Sequence, residues 1–328
     1  MISLERGRAI VQRFAQTRVL VVGDLMLDRY VWGAVDRISP EAPVPVVRVD
    51  RESSMLGGAG NVVRNLASLG SDVDVVALIG RDDAAQELHR RLDHWKIDPM
   101  GLIEDADRPT TQKTRVIAHN QQVVRYDHEV DTPLTEAILD QVVTRVRERT
   151  SKVAGVVLED YGKGLLDPAL VPELMRLCAE RGLPVFVDPK QLPWDVYAGA
   201  ALVKPNLREA QEVTGIRVRS AEDLERVGRE ILKQSGAELV AITRGEEGMA
   251  LFPRDAETLH VATRPRAVAD QAGAGDTAIA TLALARLAGA SWPEAAALAN
   301  AAAGVVIGTP GTATLSTEDL LQALEPTL

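Results

Sequence analysis

The sequence predicts an α/β fold, a doubly wound and mainly parallel sheet that carries a small accessory β-sheet, and three observations lead to it. Short β-branched runs recur at 18–23, 73–80, 153–159, 184–188, 201–203 and 239–243, each almost continuously hydrophobic, as strands buried on both faces are. The intervening segments have helical periodicity, for example Val62, Leu66 and Leu69 ahead of a helix-ending Gly70. Two stretches, 29–50 and 110–129, break this alternation with strand patterns that no helix completes into a βαβ unit.

Taken in order, the first strand ends at Gly23-Asp24, with Asp28 close behind. Residues 29–50 read as strands 30–35 and 45–49 around the proline-rich Ile38-Ser39-Pro40-Glu41-Ala42-Pro43. Gly57-Gly58-Ala59-Gly60-Asn61 opens the helix that ends at Gly70. Residues 110–129 read as a hairpin of strands 112–118 and 122–127, turning at His119-Asn120. Further buried strands follow, and a helix over 278–287 comes after a second glycine-rich segment. No repeat or long linker appears. The expectation is one domain over 1–328, with 29–50 and 110–129 forming a lid, or a surface that pairs with another subunit. A fused nucleotidyltransferase domain is not expected, because no His-x-Gly-His-like motif is present.

A chain of 328 residues can bury a full core without disulfides or a structural metal. Its 37 Lys and Arg against 47 Asp and Glu give a net charge of −10, which argues against nucleic acid as a partner. Aromatics at 3% leave little for a base-stacking platform. The single cysteine, Cys178, lies in an apolar helical stretch and reads as a small core residue in a reducing, cytoplasmic compartment. Glu5, Arg6, Arg8 and Arg13 interrupt the amino-terminal segment, so it does not read as a signal peptide. No apolar run approaches the ~18 to 20 residues that span a bilayer, so no membrane partner is expected. His89, His94, His119, His128 and His260 lack metal-ligand spacing and read as surface or structural residues.

The chemistry concentrates at Asp270-Gln271-Ala272-Gly273-Ala274-Gly275-Asp276-Thr277. Small residues at a helix start let backbone N–H groups approach an anion, and the helix dipole adds favourable charge. Asp276 would then stand beside a bound phosphate, where a carboxylate makes chemical sense as a proton acceptor. The same segment also reads as a glycine-rich turn whose Asp276 caps the helix. Gly273 to Ala278 matches the loose dinucleotide pattern, but without the following strand and acidic residue that pattern requires, and no phosphate-loop motif is present. In the first cluster, Gly57 and Gly58 permit close backbone approach, and Asn61 offers a donor and an acceptor to a hydroxyl. Asp24 and Asp28 leave the carboxyl end of a central strand, where open α/β sheets bind ligands, or else serve as turn and capping residues.

These segments together resemble the ribokinase-like (PfkB) carbohydrate kinases. Gly57-Gly58-x-x-Asn61 with Leu69-Gly70 is similar to that family's first signature, and Asp270-x-x-Gly273-Ala274-Gly275-Asp276 to its second. Asn206-x-x-Glu209 resembles its Mg-ATP motif, and Thr243-Arg244-Gly245 with Gly248 its nucleotide-binding strand and turn. The motifs occur in the family's order over nearly the whole chain. Other stretches are similar to the members acting on D-glycero-β-D-manno-heptose 7-phosphate: 23–30, 37–46, Asn120-Gln121-Gln122 with Arg125, Asp160-Tyr161-x-Lys163-Gly164, Asp188-Pro189-Lys190 and 300–306.

The resemblance implies a ribokinase-like fold and transfer of the ATP γ-phosphoryl to O1 of that heptose phosphate, giving the 1,7-bisphosphate used in ADP-heptose and lipopolysaccharide core synthesis. Asp276 would be the base, and the amides of Gly273, Ala274 and Gly275 would stabilise the moving phosphoryl group. Asp24, Asp28, Gly57, Gly58 and Asn61 would bind the sugar. Asn206 and Glu209 would hold the phosphates and a hydrated Mg²⁺, with Thr243, Gly245, Gly248 and Asn300 near the nucleotide. For the substrate's own phosphate the accessory hairpin offers Lys113, Arg115 and Arg125, with alternation placing Lys113 and Arg115 on one strand face; Lys163 and Lys190 are alternatives, and a solvated strand face is the plain reading. The expected cofactors are ATP and Mg²⁺. A monovalent cation beside the second glycine loop is a further family feature, and Gln271-Ala272 departs there from the usual hydroxyl or β-branched pair, as Arg208 does inside the Asn-x-x-Glu motif. The expected partners are the sugar phosphate, ATP and a second copy in a homodimer. A kinase of this fold acting on another sugar, or a non-catalytic sensor, are the rival readings.

Overall fold

The computed structural model describes residues 2–119, 121–190, 193–263, 272–308 and 313–325. A helix α1 (Leu4–Val11) precedes β1 (Arg18–Gly23), an interior strand of the main sheet. Two long strands, β2 (Leu25–Ile38) and β3 (Pro45–Gly58), lead into α2 (Ala59–Ser68), β4 (Asp72–Ile79), α3 (Asp83–His94) and β5 (Leu102–Glu104). The hairpin β6 (Gln112–Ala118) and β7 (Gln121–His128) follows. Alternation then resumes through α4 (Glu136–Arg149), β8 (Gly155–Glu159), α5 (Leu170–Glu180), β9 (Val185–Asp188), β10 (Leu202–Val203), α6 (Leu207–Thr214), α7 (Ala221–Ser235) and β11 (Leu239–Thr243). The chain closes with β12 (Met249–Pro253), β13 (Leu259–Val261), α8 (Ala274–Leu287), α9 (Trp292–Ile307) and α10 (Thr317–Leu324).

The main sheet has the order β13-β12-β11-β10-β9-β8-β1-β4-β5, parallel from β11 to β5 and antiparallel at the β12 and β13 edge. Alternate residues of β1 enter different cores, as a strand covered on both faces requires. Val19 and Val21 pack with Ile10, Leu66, Leu88, Ile279 and Leu298, whereas Leu20 and Val22 pack with Val142, Leu174 and Ile231. Cys178 is buried in the second core, where its thiol is pushed up to about 11 by the loss of water. Among the described residues no helix is long and apolar enough to cross a membrane.

The register fixes where a site can form. Gly23 pairs with Glu159, and Glu159 pairs with Asp188, so β1, β8 and β9 end level with one another at their carboxyl edge. Lys204 directly follows β10 at that edge. Charged residues closing apolar strands there meet in the crevice where open α/β sheets take ligands.

The accessory strands form a separate sheet of order β3-β2-β6-β7. They are longer than the sequence pattern indicates: β2 starts at Leu25 rather than residue 30, and β3 runs on through Gly57 and Gly58, which pair with Met26 and Leu25. Gly57 and Gly58 read as the opening of the following helix, which hid this extension. Val31, Trp32, Val46 and Val47 are half-buried, while the large exposed apolar side chains of this sheet and its connections are Ile38, Val44, Val49, Val123, Val124 and Tyr126. The hairpin turns at His119, with φ of 50°, and Asn120 lies outside the described residues.

Candidate active site

Asp276 stands in the first turn of α8, which begins at Ala274, earlier than the expected 278. Gly273 caps it with φ of 82°, left-handed backbone that glycine adopts without cost. The Asp276 carboxylate is buried and engaged at both oxygens. Asn61 Nδ2, from α2, donates to Oδ2 at 2.7 Å, and the Tyr161 hydroxyl donates to Oδ1 at 2.7 Å. Burial raises the Asp276 pKa, opposed by these two hydrogen bonds and by Lys204. Burial, then the Asp276 charge, pushes the Tyr161 phenol well above its ordinary range, so it stays a donor. Thr277 ties the same two helices together, its hydroxyl donating to Asn65 Oδ1 at 3.0 Å. Asp270 and Gln271 of the second glycine motif lie outside the described residues.

The carboxylates after β1 have separate surroundings. Asp24 accepts the backbone N–H groups of Tyr161 at 2.9 Å and Lys163 at 3.0 Å on Oδ2, and that of Leu165 at 3.2 Å on Oδ1. It therefore organises the loop that presents Tyr161. Asp28 instead accepts from Arg115 Nη1 at 2.5 Å, and the Arg115 guanidinium lies 5.3 Å from the Tyr30 ring centroid. Gly57 makes room for this pair: a Cβ there would sit 2.3 Å from Asp28 Oδ2. Gly58, with φ of 56°, starts the bend into α2.

Of the cations proposed for a substrate phosphate, the structure separates those already neutralised from the rest. Arg115 is paired with Asp28, Lys163 with Glu129 at 2.8 Å, Lys190 with Glu209 at 2.9 Å, and Arg125 with Asp127 at 3.1 Å. Arg125 lies opposite Arg115 in register, on the exposed strand β7. Lys113 has no ion-pair partner among the described residues; its ammonium lies 5.3 Å from the Tyr161 ring centroid. Burial, and then the neighbouring Lys163, lowers the Lys113 pKa.

Sequence reasoning missed Glu159 and Lys204 as site residues, and took Asp188 and Tyr161 only as parts of similar stretches. Carboxylate oxygens of Glu159, Asp188 and Asp276 lie within 4.8 Å of one another. Lys204 donates to this group through Asp188 at 2.8 Å, and its Nζ is 3.9 Å from where a Cβ of Gly275 would stand, beside the start of α8. Burial alone would lower the Lys204 pKa, but Asp188 outweighs it and raises it. Burial drives Glu159 well up, with Asp188 and Asp276 adding to it, and Glu159 Oε2 has no hydrogen-bond partner among the described residues. The available signal was positional: a charged residue closing a buried apolar strand.

Asn206 and Glu209 form a capping box at the start of α6. Asn206 Oδ1 accepts the Glu209 N–H at 2.9 Å, and Glu209 Oε2 accepts the Asn206 N–H at 3.0 Å. The Asn-x-x-Glu spacing thus has a local, helix-starting cause as well as any ligand role. Thr243 ends β11 beside Asn206, and Gly245 and Gly248, both at positive φ, shape the turn into β12. Asn300 of α9 donates to the Val261 carbonyl at 2.8 Å, closing that side.

A family model described as "pfkB family carbohydrate kinase" matches residues 16–319. The chain belongs to the pfkB family of carbohydrate kinases. Similar relatives include the "Bifunctional protein HldE" of Paramagnetospirillum magneticum, 46% identical over 96% of this chain and 64% of the relative, and that of Desulfatibacillum aliphaticivorans, 43% identical over 96% and 64%. The chain therefore spans somewhat under two thirds of the length of these relatives. Among solved structures, Arabidopsis thaliana ribokinase complexed with ribose and ATP superposes with a TM-score of 0.77 at 20% identity, covering 95% of this chain and 99% of that one. Escherichia coli phosphofructokinase-2 in complex with potassium gives 0.77 at 20%, covering 94% and 98%. At such identity the likeness establishes the ribokinase-like fold, a mainly parallel sheet with a smaller separate one. Within this pfkB chain, the two glycine motifs read from sequence converge on Asp276.

Proposed function

We propose that this pfkB chain is an ATP-dependent kinase that phosphorylates O1 of D-glycero-β-D-manno-heptose 7-phosphate, giving the 1,7-bisphosphate for ADP-heptose and lipopolysaccharide core synthesis in the cytoplasm. The observation that carries the reading is Asp276, a buried carboxylate at a helix start, held by Asn61 and by Tyr161, whose ring lies under the Lys113 ammonium. Asp276 accepts the proton of the sugar hydroxyl while the amides at the start of α8 and the Lys204 ammonium stabilise charge on the phosphoryl group. Asp28 and Asn61 face the sugar, and the Thr243, Gly245, Gly248 and Asn300 side takes the nucleotide.

Mg²⁺ would neutralise the phosphate oxygens. The hard oxygen donors Glu159, Asp188 and Glu209 fit such an ion through its waters, and the unpartnered buried Glu159 oxygen favours a cation there. No monovalent-cation site forms part of the proposal.

The exposed apolar side chains of the accessory sheet support a homodimer joined through the lids, since an open sheet with an apolar surface favours a covering partner. Sedimentation at micromolar concentration tests this, and a monomer throughout would refute it. A coupled ADP-release assay across phosphorylated and free sugars tests the activity. Turnover confined to another sugar phosphate would move the chain to a different kinase of this fold, and sugar binding without turnover would make it a sensor.

A further inference from the structure

We propose that Tyr161 is a positioning residue that ties the lid's phosphate-binding end to the orientation of Asp276, an inference resting on the kinase reading above. The terminal torsion of an aspartate is broad and roughly two-fold, so a carboxylate holds one plane only when its oxygens are engaged from fixed directions. Asn61 supplies one donor from α2, and the Tyr161 hydroxyl supplies the other from the loop after β8. With each oxygen taken once from a fixed direction, the plane of the carboxylate, and with it the remaining lone pairs, is set.

The Tyr161 backbone is fixed in turn. Asp24 accepts its N–H and those of Lys163 and Leu165, so the loop cannot shift without uncovering a buried carboxylate. The face of the phenol ring lies under Lys113, from the accessory strand β6. Lys113 is the lysine or arginine of the proposed phosphate end that lacks an ion pair among the described residues, so an arriving sugar phosphate is drawn to the surface of Tyr161. One side chain thereby spans from the phosphate end of the substrate to the base. Misplacing a reacting group by about 1 Å costs on the order of 10²-fold in rate, which is the scale such a brace protects.

Two variants separate the contacts. Tyr161→Phe keeps the ring beneath Lys113 and removes only the hydroxyl; Tyr161→Leu removes both. With ATP and D-glycero-D-manno-heptose 7-phosphate, Y161F is expected to lose about 10-fold to 100-fold in kcat while KM for the sugar phosphate, KM for ATP and the melting temperature stay near wild type. Y161L is expected to show the same kcat loss together with a raised sugar-phosphate KM. A Y161F enzyme that keeps its kcat, or loses it only together with ATP affinity and thermal stability, overturns the positioning role. A Y161L enzyme whose sugar-phosphate KM equals that of Y161F overturns the link to the lid. Failure of the kinase reading itself is distinct, because then the wild-type chain would release no ADP with this sugar.

Discussion

Asn61 Nδ2 lies 2.7 Å from Asp276 Oδ2, so the two glycine-rich segments, far apart in the chain, close on a single carboxylate. Each segment begins a helix, α2 and α8, and the two helices pack together through Asn65 and Thr277 as well. The contact makes the position of the Asp276 carboxylate depend on the end of the accessory strand β3, which runs directly into α2. The accessory sheet and the placement of Asp276 are therefore joined through α2.

Gly57 is the first place to test that joint. An alanine Cβ would sit 2.3 Å from Asp28 Oδ2 and 2.8 Å from its Cγ, contacts that real side chains do not make. Gly57→Ala should displace Asp28, break its pair with Arg115, and cost about 1 to 3 kcal/mol by overpacking. Thermal denaturation should show the loss of stability, and sugar titration should show weaker binding than ATP titration does. Unchanged melting and sugar affinity would mean the lid absorbs the methyl group freely.

The lid cations give a second test. Lys113 is held near other positive charge with no ion pair among the described residues, whereas Arg125 is half exposed and already paired with Asp127. Lys113→Met should weaken the phosphorylated sugar by about 1.5 to 3 kcal/mol if it makes a charged hydrogen bond to the phosphate. Arg125→Ala should cost less, because that side chain must first leave Asp127. Calorimetric titration with the sugar phosphate and with ATP separates the two, and an ATP loss equal to the sugar loss would show a structural role.

Much of this was legible in the sequence because buried parallel strands announce themselves. Strands 18–23 and 239–243 stand where their apolar runs place them. The accessory sheet was legible as existing but not in length, since its strands run on through Leu25 to Leu27 and through Gly57-Gly58, glycines that read as the opening of a helix. For the site, motif residues such as Asp276 and Asn61 could be named, but not that they touch. The charge partners were hidden for a physical reason: Arg115 to Asp28 and Lys190 to Glu209 are pairings between separate elements, set by how those elements pack. Glu159 and Lys204 were hidden because one charged residue after an apolar strand has no spacing to betray it.

An acid-stability test lies away from the crevice. Arg6 of α1 donates twice to Glu294, at 2.8 and 3.2 Å, and Glu294 also accepts the Ser291 N–H at 2.8 Å at the start of α9. The Arg6 hydrogen bond, then that of Ser291, lowers the Glu294 pKa from 4.5 to about 2. A carboxyl lowered on folding stabilises the protein above its unfolded pKa, and that contribution disappears as pH falls from about 4.5 toward 2. The pair is solvent-accessible, so the effect at neutral pH should be small. Glu294→Gln should lower the melting temperature slightly at pH 7 and leave a smaller difference from wild type as pH drops through that window. A difference that stays constant with pH would assign the loss to helix capping rather than to charge.

The sharpest test is Asp276→Asn, and the structure shows why the variant should fold. An asparagine offers one oxygen and one amide where the carboxylate offered two acceptors. Its oxygen can keep the Tyr161 hydroxyl, but its amide would face the Asn61 amide. Asn61 Oδ1 is buried with no hydrogen-bond partner among the described residues, so turning the Asn61 side chain over brings an acceptor to the new amide. Packing, the start of α8 and the nucleotide side remain intact, and only the proton acceptor is lost. Turnover with ATP and the heptose 7-phosphate should fall by about 10²-fold to 10⁴-fold, the usual worth of a general base, while ATP binding and melting temperature stay near wild type. A helix cap alone would produce the reverse, lower melting with nearly normal turnover. A folded D276N enzyme with wild-type turnover would remove Asp276 from the chemistry and leave the neighbouring carboxylates Glu159 and Asp188 as the groups to examine as base.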